Sequence, residues 1–85
     1  MSNQSESSNA YFLAQKSISM LKTSVLIILE QAGNKGLRNV DIGKKLGIYT
    51  VHKGHEGHIP RAILDIMEKD GTVEQDEESK IWRLV

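Results

Sequence analysis

The segment that precedes Gly71 constrains the fold most strongly, because its apolar residues have a helical spacing and a defined end. Counted back from Gly71, apolar side chains fall four, seven and eight residues earlier, at Met67, Leu64 and Ile63. This spacing places the three side chains on one face of an α-helix. Glycine readily adopts the left-handed conformation that ends many helices. The sequence therefore predicts a helix over 59–70 that buries this face.

A shorter helix is predicted over 39–46, upstream of the first one. Asn39 is suited to cap its N-terminus, and the carboxylate of Asp41 complements the helix dipole. Gly47 follows the last helical residue and is expected to end the helix. Gly43 in the helix interior costs about 1 kcal/mol relative to alanine, which indicates that another helix approaches closely at this point.

The N-terminal part of the chain predicts a long helix over 9–32, with Asn9 as its cap. Its apolar positions alternate three and four residues apart over about three heptads, as in a helix that packs along a seam. The seam consists of Tyr11, Ala14, Ile18, Leu21, Val25, Ile28 and Ala32. Residues 1–8 are rich in serine, asparagine and glutamine and are expected to form a disordered tail.

The two halves of this long helix are expected to differ in their surroundings. Val25, Ile28 and Leu29 are expected in the core of the domain. The N-terminal half, 11–20, is expected to extend past the domain and to pack on a second copy, because exposed apolar stripes are uncommon on monomers. The predicted interface of this homodimer contains Tyr11, Phe12, Ala14, Ile18 and Leu21.

The C-terminal residues predict a β-hairpin over 72–84, with two alternating strands around a polar turn. Val73, Trp82 and Leu84 are expected to face the core. The hairpin is strongly acidic, which disfavours its contact with phosphates. Its four acidic residues are Glu74, Asp76, Glu77 and Glu78.

The composition limits the compartment and the size of the fold. Eighty-five residues are enough for one small domain, here of the mainly helical α+β class. The chain has no cysteine, and its first ten residues have neither the basic nor the apolar region of a signal peptide. The longest unbroken apolar run, 25–29, is far shorter than the ~20 residues of a membrane span. A soluble cytoplasmic protein is expected.

Charge is distributed unevenly along the chain, although the net charge is zero. Residues 35–61 hold six basic and two acidic residues, a charge of +4. Residues 62–85 hold three basic and seven acidic residues, a charge of −4. The positive half coincides with the two shorter predicted helices.

The order of helix, loop, helix, glycine and hairpin resembles the winged helix-turn-helix family of nucleic-acid-binding domains. The residues that carry the resemblance are G-L-R-N-V-D-I-G-K-K-L-G (36–47), R-A-I-L-D-I-M-E-K-D-G-T-V (61–73) and I-W-R-L (81–84). More weakly, the first of these segments and the long loop after it resemble the winged-helix modules appended to restriction-type nucleases. The resemblance implies three helices and a wing hairpin, with 59–70 as the recognition helix of a small transcriptional regulator.

Double-stranded DNA is the partner that this resemblance implies. Arg61 and Ala62, with His58, are expected to point outward from the recognition helix, where arginine can pair with guanine and alanine can contact a thymine methyl. Lysine and arginine elsewhere in the basic half are expected to contact phosphates. The predicted DNA-binding residues are Arg38, Lys44, Lys45, Lys53, His55, His58, Arg61 and Ala62.

Other functions find less support in the sequence. His52, His55 and His58 are regularly spaced, but glycines separate them and the chain has no distant fourth ligand, so no metal site is predicted. No phosphate-binding loop or nucleophile motif is present, and we expect neither an enzyme nor a cofactor. A winged helix that binds another protein as an assembly or scaffold module, without touching DNA, remains the alternative.

Overall fold

The computed structural model describes residues 3–50, 54 and 56–85. Within them the chain forms three α-helices and one antiparallel two-stranded hairpin. The elements are α1 (Asn3–Ala32), a 3₁₀ turn (Gly33–Lys35), α2 (Asn39–Lys45), α3 (His58–Lys69), β1 (Val73–Gln75) and β2 (Trp82–Leu84). The predicted mainly helical α+β class, with a long first helix and a C-terminal hairpin, is confirmed.

The start of α1 differs from the expectation. The helix begins at Asn3 and not after a cap at Asn9, so the described part of the expected disordered tail, 3–8, is helical. Residues 3–10 contain neither glycine nor proline, and nothing in their sequence ends a helix that extends upstream from the seam.

The core lies where the C-terminal half of α1, the inner faces of α2 and α3, and the hairpin meet. Ile63, Leu64 and Met67 of α3 are buried, which confirms the inward face predicted from their spacing. The other buried hydrophobic residues are Val25, Leu29, Ile42, Val73 and Trp82. Ile28 and Leu84, also expected inside, are partly buried against this cluster.

The end of α3 follows the prediction, whereas its start does not. Gly71 has a φ of 80°, its N–H donates to Glu68 O at 3.0 Å, and Thr72 N–H donates to Met67 O at 3.1 Å. These two bonds form a Schellman motif. The helix begins at His58, one residue before the predicted start, so Pro60 is the third helical residue. It loses no hydrogen bond there, because the first four N–H groups of a helix have no partner within it.

The hairpin is tied to the connection between α1 and α2. Val73 pairs with Leu84, and Gln75 pairs with Trp82. On its other edge, Trp82 exchanges two backbone hydrogen bonds with Leu37, with N–O distances of 2.8 and 3.0 Å. The second strand therefore lies between the first strand and the start of the α2 region, which holds the hairpin close to α2.

Helices α2 and α3 approach closely at Gly43, as its position inside α2 predicted. A Cβ atom at Gly43 would lie 2.9 Å from Tyr49 Cβ and 3.0 Å from Pro60 Cγ. Only a residue without a side chain allows this approach. The contact sets the spacing between α2, the residues that follow it and the first turn of α3.

The N-terminal half of α1 extends beyond the core. Residues 6–20 are all exposed, and the molecule measures 52 × 31 × 20 Å along its principal axes. The segment Glu6–Lys35 is long and apolar enough to cross a membrane by length and composition alone. Its second half contributes Val25 and Leu29 to the core, whereas only 11% of its apolar window is buried.

Candidate nucleic-acid interface

An open groove separates the start of α2 and the N-terminal turn of α3 from the hairpin. Three basic residues line it, Arg38 before α2, Arg61 in α3 and Lys80 at the end of the hairpin turn. Two carboxylates, of Glu56 and Glu78, also line it. The groove therefore carries an excess of one positive charge, beside an otherwise acidic hairpin.

Arg61 is exposed and its position is fixed by one hydrogen bond. Its Nη2 donates to the backbone oxygen of Glu56 at 3.0 Å. A guanidinium has five N–H donors, so most of its donors are left for another partner. Because the acceptor is a neutral carbonyl, the positive charge of Arg61 is not cancelled by this bond.

The basic residues of the groove have no carboxylate partner. Across the described ranges, the one ion pair joins Lys22 Nζ to Asp70 Oδ2 at 2.8 Å. Arg38, Arg61 and Lys80 thus lie near Glu56 and Glu78 without pairing with them. Unpaired cations in a groove are available to an anionic ligand, and a phosphate oxygen fits this chemistry.

Tyr49, in the connection after α2, also lines the groove. It is half-buried, and the Nζ of Lys44 lies 5.8 Å from the centre of its ring, within cation–π distance. Close packing against Gly57 also restricts the ring, since a Cβ at Gly57 would lie 2.9 Å from Tyr49 Cε1. Tyr49 was not among the site residues predicted from the sequence.

Asn39 does not cap α2, which corrects the prediction. The helix starts at Asn39 itself, and the residue before it, Arg38, makes no side-chain cap bond. The Asn39 Nδ2 instead donates to Gly57 O at 3.1 Å, across to the residue that precedes α3. This bond ties the starts of the two shorter helices together and positions Arg38 relative to Arg61.

The predicted DNA-binding residues do not form one cluster. Arg38 and Arg61 share the groove, and Lys44 lies beside it over Tyr49. Lys45 instead lies beside Lys35 in a separate depression near the end of α1.

Two further members of the predicted set lie on the other flank of α3. His58 and Ala62 border an apolar depression formed with α1. Lys53 and His55 lie outside the described residues, as does His52 of the regularly spaced histidines. In the described part of the chain, no group of three or more His, Asp or Glu side chains is placed to hold a metal ion.

The tip of the hairpin is shaped by Asp76. Its Oδ1 accepts hydrogen bonds from the backbone N–H groups of Ser79 and Glu78, each at 2.9 Å. These bonds, first that of Ser79 and then that of Glu78, lower the pKa of Asp76 below its ordinary value. Glu77 and Glu78 are exposed at the same tip. The tip is negative at neutral pH and is a poor partner for phosphates, and Lys80 is the basic residue among the hairpin residues that line the groove.

Two further residues of α3 belong to this depression and were not predicted, because they lie neither on the core face of the helix nor among the predicted base contacts. Ile59 and Ile66 are seven residues apart on one flank of the helix, and each keeps about two fifths of its surface exposed. They line the apolar depression with Ile18 and Leu21 of α1. The spacing of seven was the available signal, because it places two residues on the same side of a helix.

No family model, no curated protein and no solved structure shows significant similarity to this chain. The site is therefore interpreted from its geometry and charges.

Proposed function

We propose that this protein has a winged helix-turn-helix fold, binds double-stranded DNA and acts as a small transcriptional regulator. Three helices followed by a hairpin agree with the arrangement that the sequence resemblance implies. The observation that carries the proposal is the groove in which Arg38, Arg61 and Lys80 lie without a carboxylate partner.

The dimensions of α3 suit the major groove of DNA. Twelve residues at 1.5 Å per residue give a helix of about 18 Å, and the major groove of B-DNA is about 12 Å wide and admits an α-helix. Arg61 is the fourth residue of α3 and projects from its N-terminal end, the end that recognition helices present to base edges. In this proposal Arg61 pairs with guanine O6 and N7.

Arg38 and Lys80 serve a different purpose in the proposal. They flank Arg61 on the α2 side and on the hairpin side, where they would contact phosphates and fix the position of α3 on the duplex. Contacts of this kind set affinity rather than sequence preference. Lys44 would add to them, since it lies over the ring of Tyr49 at the edge of the groove.

The test is duplex binding by fluorescence anisotropy with one charge removed at a time. Arg61→Ala should weaken binding to the preferred sequence by roughly 5- to 150-fold, the equivalent of about 1–3 kcal/mol for a bidentate base contact. Lys16→Ala is the matched control, because Lys16 carries the same charge on the exposed half of α1, and it should change affinity by less than about twofold. Equal effects of the two variants would contradict the proposed site.

The second candidate is a protein-binding module that does not touch DNA, and the acidic hairpin and the exposed apolar half of α1 favour it. The two candidates differ in their response to salt. DNA binding that releases counterions weakens steeply as salt increases, and Lys44→Glu at the edge of the groove should weaken it further. A module of the second kind would show no retention on random duplex at any salt concentration.

The remaining parts of the proposal concern assembly and compartment. A homodimer through the N-terminal half of α1 is proposed because this half is exposed over residues 6–20 and carries an apolar stripe within residues 11–20. A cytoplasmic location is proposed because a chain without cysteine has no need of an oxidising compartment.

A further inference from the structure

An apolar depression lies between α1 and the flank of α3 that faces away from the basic groove. It is lined by Ile18 and Leu21 of α1 and by Ile59, Ala62 and Ile66 of α3. Three of these side chains are isoleucines that keep 40% (Ile18), 41% (Ile59) and 39% (Ile66) of their surface exposed. Branched aliphatic side chains that converge in this way mark a surface that another apolar element covers.

The projecting half of α1 exposes apolar side chains that no other element of the chain covers within the described residues. Tyr11 is 70% exposed and Phe12 is 61% exposed, on a segment that makes no contribution to the buried core. Isolated helices of about 12–15 residues are marginal in water, and this segment is rich in serine, which has only moderate helix propensity. Packing against another element would therefore stabilise the helix in this segment.

We infer that a second copy of this chain supplies the cover, with the projecting half of its α1 in the depression between α1 and α3. The arrangement is reciprocal, so each copy gives one helix segment and offers one depression, as in a two-fold dimer. This inference rests on the homodimer proposed above and adds the α3 flank as the receiving surface. It also assigns Ala62 to a protein contact and not to a base.

The seam of α1 and the lengths of the two surfaces support this occupant. Tyr11, Ala14 and Ile18 continue the line that passes through Leu21 and the buried Val25, so the projecting stripe is an extension of the core-packing face. Tyr11 to Ile18 spans seven residues, as does Ile59 to Ile66, which is about 10 Å of helix in each case. One surface can therefore cover the other over its full length.

The area also agrees with a second copy. With about 200 Å² for a large apolar side chain, the exposed fractions of Tyr11, Ile18, Ile59 and Ile66 amount to roughly 400 Å² per chain. A standard interface buries about 800 Å² per partner, of which about 55–65% is apolar. The chain thus carries most of the apolar surface that one stable interface needs.

Sedimentation equilibrium of the full chain over about 1–100 μM tests the inference. The unsubstituted chain should be a dimer. Ile66→Glu should raise the dimer dissociation constant at least about tenfold, because it puts a charge into an apolar contact, and Ile18→Glu should do the same from the other helix. Met20→Glu is the matched control. Met20 is 61% exposed but lies two residues, or about 200°, around α1 from Ile18, so the dimer should persist.

Each variant needs a check that it folds, and far-UV circular dichroism and the unfolding midpoint provide it. Ile59→Glu gives a second test of the α3 flank if Ile66→Glu unfolds. A monomeric parent chain would overturn the inference and would leave the depression to a different protein. So would a dimer that Met20→Glu dissociates and that the α3 variants leave intact, because the interface would then lie on the opposite flank of α1.

The result can be separated from that of the DNA-binding proposal. Arg61→Ala should lose DNA affinity and remain a dimer. If the parent chain is monomeric and still binds duplex through Arg61, the dimer is wrong and the DNA-binding proposal stands. If the dimer depends on Ile66 and no duplex binds, the dimer stands and the DNA-binding proposal is wrong.

Discussion

Replacement of Gly43 by alanine separates helix propensity from packing, because the two predict opposite signs. Alanine is the best helix former, and glycine in a helix costs about 1 kcal/mol relative to it. Propensity alone therefore predicts that Gly43→Ala raises the free energy of unfolding by about 1 kcal/mol. The close packing of α2 against Tyr49 and Pro60 predicts the opposite.

The structure sets the size of the packing term. A Cβ at Gly43 would lie 2.9 Å from Tyr49 Cβ, 3.0 Å from Tyr49 Cδ1 and 3.0 Å from Pro60 Cγ. Ordinary carbon–carbon contacts are about 3.5–4.0 Å, so the neighbours must move by roughly 0.5–1 Å. A Cβ atom and a proline ring cannot rotate away, and the movement must come from the backbone. Overpacking of this kind costs about 1–3 kcal/mol.

The net expectation for Gly43→Ala is a destabilisation of about 1 kcal/mol, the difference between these two terms. For a domain of this size, that lowers the unfolding midpoint by about 4–8 °C. Gly43→Val should lower it further, since it adds two methyl groups and a β-branch. Thermal unfolding followed by far-UV circular dichroism measures both.

Lys45→Ala is the control for Gly43→Ala, because Lys45 lies in the same helix and its side chain is exposed. Its effect should stay within about 0.5 kcal/mol. A midpoint that rises by several degrees in Gly43→Ala would refute the close approach of α2 to Pro60 and Tyr49. The spacing that positions Arg38 relative to Arg61 would then be wrong as well.

Three further predictions concern stability. Met67→Ala should lower the free energy of unfolding by about 2–5 kcal/mol, measured by urea unfolding, because Met67 is 1% exposed in the core. The pKa of Asp76 is lower in the folded chain than its ordinary value of 3.8. Its contribution to stability is therefore present above about pH 4 and is lost as the pH falls through the folded pKa. Asp76→Asn should remove this part of the acid dependence of the unfolding midpoint. Lys22→Ala should cost no more than about 1 kcal/mol, with a smaller effect at high salt, because its ion pair with Asp70 is partly exposed.

The fold was predictable where local signals agreed with one another. The spacing of Ile63, Leu64 and Met67 before Gly71 identified α3 and its inward face, because a helical period and a helix end coincide there. The interior position of Gly43 indicated the close approach of the helices for a similar reason. The start of α1 was not predictable from Asn9, since a residue suited to an N-cap does not end a helix that can extend further upstream.

The site was less predictable, because residues that are adjacent in the sequence of a helix point in directions about 100° apart. Lys44 and Lys45 form one basic cluster in the sequence, but Lys44 lies over Tyr49 and Lys45 lies near the end of α1. Arg61 and Ala62 separate in the same way, one toward the hairpin and the other toward α1.

Contacts between elements that are distant in the sequence could not be predicted from it either. Lys80 reaches the groove only because the hairpin lies beside α2 and α3. The amide of Asn39 reaches Gly57 across 18 positions of the chain, whereas its residue type alone indicated a cap. Such arrangements depend on tertiary packing, and the local pattern of residues does not encode them.

The most direct test of the central claim is an NMR titration of the isotope-labelled chain with duplex DNA, followed residue by residue through the backbone amides. The account predicts the largest shift changes at Arg38, Tyr49 and Arg61, reduced at higher salt, with small changes along residues 11–20. Shift changes confined to residues 11–20, or none at any residue at low salt, would contradict it.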